Sequence, residues 1–84
     1  MTRIAKLYAT LNANRRGIIS FRDFEALLRA FGFKLERTVG SHRQYVHPRV
    51  PLPLPIQPEG KDAKRYQVRQ FLDMIEEFSL SIDE

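Results

Sequence analysis

The chain has 84 residues and no cysteine. That absence excludes a disulfide framework, a catalytic thiol and a cysteine-based zinc site. No apolar run approaches the ~20 residues a membrane span needs, and nothing resembles a secretory h-region. Acid is scarce over most of the length. Residues 1–72 hold five acids against all 14 Lys and Arg, whereas residues 73–84 hold five acids and no base. What is present is 43% apolar residue, including six Phe and three Tyr. That suffices for one modest core and is too much for a disordered segment. These features predict one small, soluble, basic domain, most simply cytoplasmic and without membrane attachment.

A body with a surplus of nine positive charges points to an anionic partner, most often phosphate. A solvated surface of mixed charge is the plainer alternative. The acidic end can keep a terminal helix soluble or shield the basic surface in cis.

Apolar spacing divides the chain into elements. Ile4, Leu7, Tyr8 and Leu11 follow a helical stripe over Arg3 to about Leu11. The polar stretch Asn12 to Gly17 ends it. Ser20 is an N-cap with Asp23 in a capping-box-like position, and Phe24, Leu27, Leu28 and Phe31 form the next stripe. Gly32 supplies the left-handed residue that closes this helix. From Phe33 the period becomes two, which predicts a strand to Thr38, a turn at Val39-Gly40 and a return strand from Ser41 to His47. All five prolines fall between Pro48 and Pro58. Pro51, Pro53 and Pro55 alternate with Leu52, Leu54 and Ile56, so the missing N–H groups share one rim. That suits a sheet-edge strand, with a polyproline-like linker as the alternative. Asp62 is expected to cap a last helix from Ala63 to about Phe78. The order α-α-β-β-β-α describes an α+β fold: a three-stranded antiparallel sheet with helices on one face and the other face open to solvent.

Few residues offer chemistry. The segment Asn12 to Asp23 has the spacing of a calcium-binding loop, but it places neutral Asn and cationic Arg16 where carboxylates are needed. His42 and His47 lie five apart on one strand and face opposite sides, and no carboxylate cluster completes a metal site. Neither a metal nor another cofactor is expected. His42 remains as a proton-transfer residue able to act near neutral pH, for instance on a ribose 2′-hydroxyl or its leaving group. A lone His is also commonly structural or merely exposed, and composition leaves both roles open. Arg37, Arg43, Arg49 and Lys61 could hold phosphate.

The run Gly40-Ser41-His42-Arg43-Gln44-Tyr45-Val46-His47-Pro48, a short apolar strand, Gly60-Lys61-Asp62 and a helix bearing Val68-Arg69-Gln70-Phe71-Leu72 together resemble the HicA family of bacterial toxins. The resemblance spans roughly residues 20–78. It implies a double-stranded-RNA-binding-domain-like (dsRBD-like) α-β-β-β-α fold and a ribosome-independent mRNA interferase whose catalytic residue is His42. It also implies a HicB-type antitoxin that covers the active site, and no metal. Gly40 would permit the turn and Ser41 would orient the substrate or the imidazole. Arg37, Arg43, Arg49, Lys61, Lys64 and Arg65 are the candidates for RNA phosphate, and Tyr45 is a packing residue. The chain then reads as a single domain over 1–84: an additional helix and connector at 1–19, a family-like core at 20–78 and an acidic tail at 79–84. The alternative is a non-catalytic RNA-binding module on the same fold, and a third reading is a domain whose basic surface meets an acidic protein.

Overall fold

The computed structural model describes residues 3–14 and 17–82. Arg15 and Arg16 of the connector lie outside them, as do Asp83 and Glu84 at the acidic end. Helix α1 (Arg3–Ala13) is followed by α2 (Phe21–Ala30), β1 (Lys34–Val39), β2 (His42–His47) and β3 (Val50–Ile56). A two-residue pair, β4 (Pro58–Glu59) and β5 (Asp62–Ala63), precedes α3 (Arg65–Glu77). The three long strands form an antiparallel sheet in the order β1-β2-β3. The fold is therefore α+β and dsRBD-like, in the order α-α-β-β-β-α, with β4-β5 as an unforeseen addition.

Both predicted caps of α2 form, each through its own chemistry. The Ser20 hydroxyl accepts the Asp23 N–H at 3.1 Å. Asp23 does not reach back to complete a capping box. Its carboxylate instead accepts from Arg3 at 2.7 Å, tying α1 to α2 and holding the Asp23 carboxyl below its ordinary range. With Arg3 70% exposed, that pair contributes little to stability. At the other end, Gly32 N–H bonds to Arg29 C=O and Phe33 N–H to Leu28 C=O, both at 3.0 Å. This is the paired closure of a Schellman motif. Gly32 takes φ +92°, and a Cβ there would meet His47 Nε2 at 3.1 Å.

Helical periodicity explains the core. Phe24, Leu27 and Leu28 of α2 and Val68, Phe71 and Leu72 of α3 are almost fully buried against Tyr45, Leu54 and Ile56 from the sheet. Phe71 is the hub: Phe24, Phe31 and Phe33 all meet it edge-on, with centroids 5.5–5.9 Å apart. Helix α1 belongs to the same core, since Leu11 is buried and Tyr8 meets Phe31 edge-on at 5.0 Å. As the prolines require, β3 is an edge strand with β2 as its one partner.

The start of α3 differs from the sequence expectation, while its end near Phe78 agrees with it. Asp62 does not cap α3. Asp62 and Ala63 are extended as β5, and with the turn residue Lys61 they are strapped to the start of α2 and the segment before it, with Phe21 N–H bonding to Lys61 C=O and Ala63 N–H to Ile19 C=O, both at 2.9 Å. These tertiary bonds outweigh the capping preference of one Asp, and the helix starts two residues later behind Lys64, whose side chain makes no capping bond. The far end of α3 also closes by folding back: Ser79 takes φ 53°, Leu80 N–H bonds to Ile75 C=O at 3.0 Å, and the Leu80 side chain is buried.

Candidate active site

The β1-β2 connection begins the site. Val39 pairs with His42, leaving Gly40-Ser41 as a two-residue loop. Ser41 thus belongs to the turn and not to the return strand. Gly40 has φ +61° while Ser41 does not have positive φ, the pattern of a type II′ hairpin with Gly at its first central position. Nothing lies within 4 Å of a Cβ built on Gly40, so its role is conformational and not spatial.

His42 is the first residue of β2 and is exposed. Strand alternation puts Arg43, Tyr45 and His47 on the helix side and His42, Gln44 and Val46 on the open side. The register adds the open-face neighbours from β1: Val39 opposite His42, and Arg37 opposite Gln44. Arg37 is therefore the diagonal neighbour of His42, at roughly 7–8 Å between backbones. A bulge at Glu36 brings that carboxylate to Gln44, whose amide donates to it at 2.5 Å. His42 itself makes no side-chain hydrogen bond or ion pair with any other described residue. Its imidazole is thus unengaged among the described residues, on the face it shares with Arg37.

The remaining cationic candidates separate. Arg43 adjoins His42 in sequence but points to the other face. One of its Nη atoms donates at 2.7 Å to both oxygens of Glu25, and its guanidinium lies 5.5 Å from the Phe21 ring centroid. The Glu25 carboxylate raises the Arg43 pKa further. Tyr45, fully buried, donates to the same carboxylate at 2.6 Å. Burial, and then that bond, pushes the Tyr45 phenol up to about 12, so the ring packs and the hydroxyl remains a donor.

Lys61 lies at the His42 end of the molecule, because its carbonyl is bonded to Phe21, the residue beneath Arg43. Lys64 and Arg65 follow at the start of α3, and Arg65 lines a shallow cleft of about 540 Å3 with Tyr66 and Arg69. Arg49 stands apart. It follows His47, five residues along β2 from His42, which is roughly 17 Å of strand. His47 is structural: Nδ1 accepts the Arg49 N–H and Nε2 lies 3.0 Å from the Phe31 carbonyl, which requires the tautomer protonated on Nε2.

The sequence reading assigned no site role to Glu25, Glu36 or Gln44. Glu25 was detectable in principle, since it falls one residue after Phe24 and three before Leu28, on the inward stripe of α2. Glu36 and Gln44 meet because of a bulge, which carries no composition signal. Among the described residues no three His, Asp or Glu side chains gather as a metal-ligand set, and no helix is long and apolar enough to cross a membrane.

Fold and face together define a small dsRBD-like α+β domain with an exposed imidazole at a hairpin tip and cations around it. The family model for HicA toxins of bacterial toxin–antitoxin systems matches residues 21–76, and the chain belongs to that family. Helix α1 precedes the matched segment. As a HicA toxin the protein is one half of a toxin–antitoxin system, with an antitoxin as partner. No curated protein and no solved structure gives a significant match.

Proposed function

We propose that this toxin is a metal-independent endoribonuclease, an mRNA interferase acting in the cytoplasm without the ribosome, with His42 as its acid–base residue. The observation that carries this reading is the placement of His42: exposed, without a side-chain partner among the described residues, on the open sheet face diagonal to Arg37. Neutral imidazole can accept the proton of a ribose 2′-hydroxyl as O2′ attacks phosphorus. The P–O5′ bond then breaks, leaving a 2′,3′-cyclic phosphate, and the leaving oxygen takes a proton to become a 5′-hydroxyl. Arg37 would offset the charge gathering on the phosphoryl oxygens. Lys61, Lys64 and Arg65 would hold the flanking backbone at the same end, with Gly40 and Ser41 fixing the turn that presents His42. Arg43, tied to Glu25, would act on RNA through its exposed remainder. A HicB-type antitoxin would neutralise the toxin by covering His42.

The test is cleavage of RNA by purified protein, wild type beside His42→Ala, with EDTA in both reactions and folding checked by circular dichroism. General acid–base catalysis contributes about 10²–10⁴-fold, so the variant is expected to lose at least about a hundredfold in rate. A folded, antitoxin-free wild type that binds several RNAs and cleaves none would refute the enzyme and leave a non-catalytic RNA-binding module.

A further inference from the structure

The two edges of the sheet are not equivalent. The outer rim of β3 carries Pro51, Pro53 and Pro55, which offer no N–H to an added strand. The opposite edge, β1, contains no proline, and all six of its residues are exposed. Among the described residues, no strand neighbours its outer amides and carbonyls. Beside the start of β1, at the end of the sheet remote from His42, lies a groove of about 1020 Å3. Val46, Pro48 and Ile82 contribute apolar surface to it, and Arg29, Lys34 and Arg49 bring cations. None of the described residues lining it is acidic.

We propose that β1 and this groove seat an extended acidic segment of the antitoxin, which adds as a fourth strand along β1 and places an apolar side chain in the groove. The inference rests on the antitoxin partnership of the family and not on catalysis by His42. Free main-chain donors and acceptors on an edge provide affinity for an extended peptide, while flanking pockets select its side chains. Three cations with no acid among the described lining residues select carboxylates. RNA fits less well, because Phe31 and Phe33 are only 2% exposed and offer no ring face for a base to stack on. A second copy of the chain fits less well too. It would bring another Lys34 and Arg37 to the rim, with Glu36 the one carboxylate on that strand. Seated there, the segment has its apolar anchor in the groove remote from His42, while the strand itself runs along β1 to Val39, the pairing partner of His42.

Hydrogen–deuterium exchange of the full chain carrying His42→Ala, alone and with its cognate antitoxin, tests this. The expected result is exchange slowed at least tenfold in residues 34–39 on complex formation. Lys34→Glu with Arg49→Glu in the same chain should lower antitoxin affinity at least tenfold while the circular dichroism spectrum is retained. A complex that forms with β1 exchange unchanged overturns the proposal and leaves the antitoxin partnership intact. Failure to form any complex overturns both. Protection of β1 that rises with toxin concentration alone, or appears with RNA in place of antitoxin, overturns it in favour of self-pairing or of an RNA track.

Discussion

Tyr45→Phe tests whether the hydrogen bond beneath the sheet behaves as its geometry requires. The hydroxyl is fully buried and donates at 2.6 Å to the Glu25 carboxylate, which is only 8% exposed. A hydrogen bond to a charged group is worth about 1.5–3 kcal/mol net. The loss falls at the low end here, because Arg43 still serves both oxygens of Glu25 after the substitution. A cost of about 1–2 kcal/mol at pH 7 corresponds to a fall in Tm of roughly 4–16 °C for a domain of this size. The alkaline limb gives a sharper signature. In the folded state the phenol is pushed up to about 12 from its ordinary 10.0, so the folded chain holds a proton that the unfolded chain has released. The associated stability is fully present below pH 10 and is lost as pH rises through 12. At about 1.4 kcal/mol per unit, wild type should lose on the order of 2–3 kcal/mol over that window beyond what the Phe variant loses. Urea denaturation of both proteins from pH 7 to 12 measures it. The variant's deficit should shrink above pH 10 and approach zero or reverse near pH 12. Parallel stability curves, with a constant gap at all pH values, would refute the assignment of the buried proton to Tyr45.

Three further outcomes follow from the same geometry. Gly32→Ala forces a side chain into φ +92° with His47 Nε2 only 3.1 Å from the new Cβ, so it should cost more than Gly40→Ala, where space is open and only the turn conformation, about 1–2 kcal/mol, is at stake. Thermal melts of the two variants side by side would decide this, and a smaller loss at Gly32 would contradict it. Leu11→Ala should destabilise by about 2–5 kcal/mol in chemical denaturation if α1 is core and not an appendage, since Leu11 is only 5% exposed. In an RNA-cleavage assay Arg37→Ala should lower the rate by roughly tenfold or more, as expected of a charge facing the developing phosphoryl anion. Arg49→Ala should lower it less, because Arg49 lies at the other end of β2; equal losses would mean that substrate spans the whole strand.

Much of the architecture is legible in local chemistry. Helical stripes, the Ser20 cap, the Gly32 stop and the alternating prolines each act within a few residues, and each reappears where spacing puts it. Gly40-Ser41-His42 could be singled out for the same reason: a glycine-led turn and the residue after it form a local unit. The opposed faces of His42 and His47 likewise follow from strand alternation. Long-range pairing decided the rest. Asp62 lost its capping role because its backbone neighbours found partners at Ile19 and Phe21, 40 or more residues away. Arg43 and Arg49 look equivalent to Arg37 as basic residues on or beside one sheet, yet the register leaves Arg37 next to His42, turns Arg43 onto Glu25 and carries Arg49 to the far end. Charge and residue type are properties of single positions, whereas a face, a register and a buried ion partner arise only when distant segments pack. The sequence therefore determined which groups the chain has to offer, and the tertiary structure alone decided which of them stand together.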